Sequence, residues 1–191
     1  MLHLETPRLL LRPLNERDDQ FIVALLNDPA FIRFIGDRGV RTTEDARAYI
    51  QKSAIASYKR FGFGLLCVAL RDNRTPIGIC GLLKRDTLDD VDVGFAFLES
   101  YRGQHYGFEA ARAVLDDGRA SFGLRRIVAI TNPENTASIG LLDKLGLPFE
   151  RLIEMPGEQK TLRLHAWMAG GEAGRDQATA PEPGSASESG R

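Results

Sequence analysis

Residues 101–110 read Tyr-Arg-Gly-Gln-His-Tyr-Gly-Phe-Glu-Ala, a glycine-containing turn between a run with the period of a strand and a run with the period of a helix. Before it, Val91, Val93, Phe95 and Phe97 alternate with Asp92, Gly94, Ala96 and Leu98, so one face of the strand is bulky and the other nearly bare. Small residues at positions 94 and 96 leave room for something slender against the backbone. After it, Phe108, Ala111, Leu115 and Phe122 recur at helical spacing, and Gly123 supplies a stop. The order is strand, turn, amphipathic helix. The first N–H groups of such a helix have no internal partner and carry the positive end of its dipole, so the turn is a cradle for an anion. Its spacing fits neither Gly-x-x-x-x-Gly-Lys-Ser/Thr nor Gly-x-Gly-x-x-Gly.

The chain has 191 residues and 43% hydrophobic composition, which suits one domain with a buried core. A formal net charge of −1 provides no global basic field, which argues against nucleic acid and acidic membranes as partners. Cys67 and Cys80 sit in apolar runs without metal-ligand spacing, and His3, His105 and His165 show none either, so no metal is expected. Two reduced thiols fit a cytoplasmic protein. Glu5, Arg8 and Arg12 interrupt the first apolar segment, which therefore lacks a signal-peptide core, and no apolar run approaches the roughly 20 residues of a bilayer span. Residues 170–191 contain no aromatic or large aliphatic side chain and read as a disordered tail of net charge −2, leaving +1 on residues 1–169.

Within residues 1–169 the first strand lies around Leu9 and Leu11 and closes at Pro13. A helix over about 17–27 breaks at Asp28-Pro29, and a second, with Thr43 as N-cap, carries Ala46, Ile50, Ala54 and Tyr58 toward Gly62. Strands near 63–70 and 77–84 form a hairpin around the polar turn 71–74. The 91–98 strand and long helix follow, then a strand over 127–131, a helix over 135–145, and strands near 149–155 and 161–168.

The turn resembles the pyrophosphate loop of the Gcn5-related N-acetyltransferase (GNAT) superfamily, Arg/Gln-x-x-Gly-x-Gly/Ala, with Arg102 first and Gly107 last. His105 stands where that pattern has glycine. The element order is also similar to that of the superfamily from end to end. The branch that acetylates ribosomal-protein N-termini is the nearest likeness, through Glu5-Thr6-Pro7-Arg8-Leu9-Leu10-Leu11-Arg12-Pro13, Asn132-Pro133-Glu134-Asn135-Thr136-Ala137-Ser138 and Asp143-Lys144-Leu145-Gly146. The resemblance implies an α/β (α+β) fold with a mixed, mostly antiparallel sheet of six to seven strands and about four helices. It implies acetyl-CoA as co-substrate, held by Phe95, Ala96, Phe97, Leu98, Arg102, Gly103, Gln104, His105, Tyr106, Gly107, Phe108, Asn135 and Ser138. It also admits a homodimer.

Acyl transfer from a thioester to an amine needs a neutral amine, a stabilised oxyanion and a protonated or solvated leaving thiolate. An N-terminal amine with pKa near 8 is about 10% neutral at pH 7, against about 0.04% for a lysine near 10.4, so a lysine acceptor asks far more of a base. Asp92 and Glu154 are the candidate bases, each competing with a plainer reading as a solvated strand carboxylate. The resemblance places oxyanion donors at the backbone around Phe97 and sets Leu142 where many members carry a proton-donating tyrosine. Ser138 matches the serine of the ribosomal-protein branch and is the candidate acid, with satisfaction of backbone groups near Asn135 as the competing role. Two functions follow. One is direct acetyl transfer to a primary amine of a protein N-terminus, an amino acid or a small molecule; the alternative is a non-catalytic acyl-CoA-binding or regulatory module.

Overall fold

The computed structural model describes residues 3–154 and 160–169. One eight-stranded sheet runs in the order β1-β2-β3-β4-β5-β6-β8-β7, where β1 is Leu4–Glu5, β2 Leu9–Pro13, β3 Leu65–Leu70, β4 Pro76–Leu83, β5 Asp92–Phe97, β6 Arg126–Thr131, β7 Phe149–Glu154 and β8 Thr161–Met168. Neighbouring strands are antiparallel except β5 and β6, which are parallel and joined by the crossover helix α5, Tyr106–Phe122. The short strand β1 is the one element beyond the seven expected strands. The expected tail at 170–191 lies outside the described residues.

Alternation along the central strands buries both faces. Leu66 and Val68 of β3 and Cys80 and Leu82 of β4 pack on one side against Ala110, Ala111, Val114 and Leu115 of α5 and Leu142 of α6 (Thr136–Lys144). Cys67 and Ile79 face the other side, where Ile22 and Leu25 of α1 (Asp19–Leu26), Phe31 of α2 (Pro29–Phe34) and Ala46 and Ile50 of α3 (Thr43–Ile50) cover them. At roughly 1.5–3 kcal/mol for each large aliphatic side chain removed from water, these two layers supply most of the driving force for the fold. Burial also pushes the Cys67 thiol up to about 12, which leaves it inert as a nucleophile at neutral pH. Among the described residues no helix is long and apolar enough to cross a membrane.

Three local features differ from expectation. Asp28-Pro29 ends one helix and also starts another: Asp28 accepts from the N–H groups of Ala30 and Phe31, and Pro29 takes the first helical position, where its missing N–H costs nothing. The cap of α3 is Thr42 rather than Thr43. Thr42 accepts from Asp45 N–H while Asp45 accepts from Thr42 N–H, a reciprocal box that Thr43, three residues before Ala46, has no partner to form. Between α3 and α4 (Ala56–Phe61) the rod passes through a π turn at Gln51–Ile55 before Gly62 ends it with φ +78°.

Candidate active site

β5 and β6 are paired at Asp92 and Val128 and diverge beyond that point. On its other edge β5 stays paired with β4 through Phe97, and Leu98 N–H donates to Ile77 carbonyl at 3.0 Å. Peptide groups alternate sides along a strand, so the N–H groups of Phe95 and Phe97 face the gap. The gap opens into a cleft of about 860 Å³ at the carboxyl ends of two parallel strands, the place where open sheets receive ligands. The loop after β5 and the start of α6 form one half. Phe31 and Phe34 of α2, Tyr49 of α3 and Arg38 form the other. Arg33 and Glu134, both exposed, meet at 3.0 Å and link α2 to the turn before α6.

In the loop, the N–H groups of six consecutive residues, Gly103 to Phe108, donate to no described acceptor. Gly103 and His105 carry positive φ, +74° and +65°, which folds this run of amides into a concave nest ahead of α5. His105 is thus in the left-handed conformation that explains why glycine is usual there. It caps α5 without a side-chain hydrogen bond, and its imidazole is exposed. Gly107 has no such φ; a Cβ there would lie 2.9 Å from Leu141 Cδ1 and 3.5 Å from the Phe97 ring, so the glycine permits close packing of α5 on α6 beneath the nest.

The guanidinium of Arg102 has partners within the fold. Its Nη2 contacts Asp28 Oδ1 at 2.6 Å, its Nε donates to the Phe97 carbonyl at 2.9 Å, and its own N–H goes to Glu99. Arg102 therefore braces the loop to β5 and α2 while also lining the cleft. Burial pushes the Asp28 carboxyl up, but the Arg102 hydrogen bond and charge, with two backbone N–H groups, outweigh it and hold Asp28 below the usual carboxylate range. Gln104 and Leu98 stand apart from the described cleft lining; the Gln104 side chain donates to Ser100 carbonyl. Phe95, Ala96, Phe97, Arg102, Gly103, His105, Tyr106, Gly107, Phe108, Asn135 and Ser138 do line it.

A clamp from the N-terminal turn was not foreseen. Glu109 accepts from Thr6 Oγ1 at 2.6 Å, from Arg8 N–H at 2.9 Å and from Arg8 Nε at 2.7 Å, while Arg8 lies 4.4 Å over the Tyr106 ring. The Thr6-Pro7-Arg8 segment thereby fixes the first turn of α5. Burial raises the Glu109 carboxyl, and these donors more than offset it, so it ends below its ordinary value.

Asp92 sits where the two strands part. It is 1% exposed, which rules out a solvated strand carboxylate, and Arg85 Nε approaches its two oxygens at 3.0 and 3.2 Å. Burial pushes its carboxyl up against the opposing charge of Arg85. The bare strand face beside it is partly filled, since a Cβ on Gly94 would meet Leu83 Cδ1 at 2.7 Å. Across the cleft Asn135 caps α6 by accepting from Ser138 N–H at 3.1 Å, and the Ser138 hydroxyl has no described partner. Leu142 is fully buried in the core beneath. Glu154 is exposed at the end of β7 and is not among the described cleft residues, so the structure does not bring it to Asp92 and Ser138.

Residues 8–148 match the family model described as an acetyltransferase (GNAT) domain. The uncharacterized N-acetyltransferase YnaD of Bacillus subtilis is 32% identical over 146 residues, covering 76% of this chain and 82% of its own length. Among solved structures, the acetyltransferase (GNAT family) from Bacillus anthracis superposes with a TM-score of 0.73 at 25% identity, over 87% of this chain and 98% of that one. RimL, a ribosomal L7/L12 alpha-N-protein acetyltransferase in complex with coenzyme A, is alike in fold alone, with a TM-score of 0.71 at 17% identity over 86% and 96% of the two chains.

Proposed function

Because the chain belongs to the GNAT acetyltransferase family, we propose that it moves an acetyl group from acetyl-CoA directly onto a primary amine: a protein N-terminus, an amino acid or a small amine. The observation that carries this reading is the pair of free backbone donor sets along the cleft, the gap-facing N–H groups of Phe95 and Phe97 and the six amides of 103–108. A diphosphate suits the nest and an amide-bearing arm suits the strand edge, because each finds hydrogen bonds there that the fold itself leaves open.

Acetyl-CoA supplies the thioester. The amine nitrogen forms a bond to the acetyl carbon, the carbon–sulfur bond breaks, and the amine loses one proton while the sulfur gains one. The N–H of Phe97 faces the position where the oxyanion charge develops. Asp92, directly or through a water, takes the amine proton; its burial makes it a better base than an exposed aspartate, and Arg85 keeps it ionised enough to act. The Ser138 hydroxyl donates to the departing thiolate. Asn135 holds that serine in place through the helix cap.

Thiol release from acetyl-CoA against a panel of N-terminal peptides, amino acids and small amines tests the proposal, with product mass confirming acetylation. Release with at least one class of amine is expected. Tight acetyl-CoA binding with no release across the panel would overturn it in favour of the non-catalytic acyl-CoA-binding module.

A further inference from the structure

The amine-receiving half of the cleft continues into a second pocket of about 240 Å³, with Ser53, Leu65 and Leu83 common to both. This annex lies along the π turn and α4. There Ala56 N–H reaches back five residues to Gln51 carbonyl, and the Ser53 hydroxyl satisfies Tyr49 carbonyl at 2.6 Å. Such turns within α-helices are frequent at functional sites.

The charges of the annex are one-sided. Lys52, Arg60 and Lys84 line it and no carboxylate does. Lys52 and Arg60 are exposed and have no acidic partner among the described residues. Lys84 donates only to backbone carbonyls, including that of Asp89 at 2.8 Å. Arg38 adds a further cation in the main cleft, and its neighbour Asp37 is already taken by Arg41 at 2.6 Å. The sole carboxylate described in either pocket is Asp92, which Arg85 occupies. Asp86 and Asp89, in the loop between β4 and β5, line neither pocket. Lys52, Arg60, Lys84 and Arg38 thus give this side of the cleft a local positive field in a chain of net charge −1.

Resting on the N-acetyl transfer reading, we propose that the acceptor is a polypeptide amino terminus followed within a few residues by aspartate or glutamate. Its amine meets Asp92, its backbone passes over Ser53, and its carboxylates pair with Lys52 and Arg60. The span favours a peptide over a small anionic amine. Lys52 and Arg60 are eight residues apart on one rod, about 12 Å at 1.5 Å per residue, which three to four residues of extended chain cover.

The test uses the full chain and acetyl-CoA with hexapeptides of identical first residue, carrying Asp/Glu, Asn/Gln or Lys at positions two to five. At low ionic strength kcat/KM should favour the acidic over the neutral peptides by about tenfold or more, with the basic set lowest. The gap should close toward parity in about 0.5 M salt, as the screening length falls from about 30 Å at 0.01 M toward 3 Å at 1 M. The double variant Lys52→Glu/Arg60→Glu should reverse the order, with KM for acetyl-CoA unchanged. Equal rates on acidic and neutral peptides, a preference that survives the charge reversal, or a small anionic amine preferred over the acidic peptides would each overturn the proposal while leaving N-acetyl transfer standing. Acetylation of no amine at all would instead sink the transfer reading, and this one with it.

Discussion

Arg102 separates two accounts of the loop, because its guanidinium either holds the fold or holds a phosphate. Arg102→Ala would leave the Asp28 carboxylate, 7% exposed, without its cation and remove the donor from the Phe97 carbonyl. Breaking a buried ion pair costs about 3–5 kcal/mol and an exposed one about 0.2–1. Arg102 is itself 37% exposed, and Asp28 keeps two N–H donors at the start of α2, so the electrostatic loss belongs in the lower part of that range. With the orphaned carbonyl included, the expected destabilisation is about 2 kcal/mol, or roughly 4–8 °C in Tm for a domain of this size.

Asp28→Asn keeps an acceptor for the helix cap while removing the charge, and should cost about 1 kcal/mol. The double variant should fall short of the sum by roughly 1–2 kcal/mol, the coupling of a contacting pair. Denaturant unfolding of the four proteins measures this, and calorimetry with acetyl-CoA measures the other account. Affinity should drop less than about threefold in Arg102→Ala. The pH dependence has a definite sign: a carboxyl held low in the fold stabilises it above the unfolded value near 3.9 and loses that contribution as pH falls through the lower folded value. The gap between wild type and Arg102→Ala should therefore narrow in acid. An Arg102→Ala protein with unchanged Tm and a tenfold or greater loss of acetyl-CoA affinity would refute the brace and make the guanidinium a phosphate ligand.

Four further outcomes follow from the site. Gly107→Val should weaken acetyl-CoA binding by roughly 1–3 kcal/mol, since its side chain meets Leu141 and Phe97 under the nest; unchanged affinity by calorimetry would remove the loop from the cofactor site. Ser138→Ala should lower kcat about 100-fold or more with acetyl-CoA affinity nearly constant, whereas lost affinity at normal turnover would make Ser138 a binding or capping residue. His105→Gly should leave acetyl-CoA affinity the same or slightly better. It relieves a left-handed strain of about 1 kcal/mol that the greater unfolded-state freedom of glycine largely offsets, so stability should move little. Asp92→Asn should abolish the acidic limb of the pH–rate profile, because the raised carboxyl of Asp92 must be ionised to accept a proton; a limb that persists would assign the base elsewhere.

The strand-turn-helix unit and the succession along the chain of seven of the eight strands were legible because they rest on periodicity and on glycine at fixed places. Gly123 ends α5 with φ +62°, as its position suggested. Some missed features did have local signals. Asp28-Pro29 matches a helix start as well as a stop, and Asp45 three residues after Thr42 distinguishes the true cap from Thr43. Others had none. The Arg102–Asp28 contact, the Glu109 clamp and the approach of Arg85 to Asp92 depend on which loops the sheet brings together, and no spacing in the chain encodes them. Glu154 was a candidate for its place near the end of the penultimate strand and Asp92 for its place on the bare face of the 91–98 strand; the sheet order puts β7 at the edge and β5 in the centre.

That difference in sheet position explains how β5 can serve both fold and chemistry. Its edge toward β4 is fully paired, which fixes the strand against the core through Val93 and Phe97. Its other edge is paired only where Asp92 meets Val128, so the backbone beyond is rigid and yet has donors to spare. A loop offering the same N–H groups would have to be ordered when ligand arrives, at about 1–2 kcal/mol per residue. Here that cost is already met by folding. The contacts of Arg102 and Glu109 tie the left-handed turn around His105 to the same frame. On the proposed reading, binding through preorganised backbone also frees the side chains of the cleft for another task, and those on the α2–α4 side can then set acceptor preference without disturbing the half that takes acetyl-CoA.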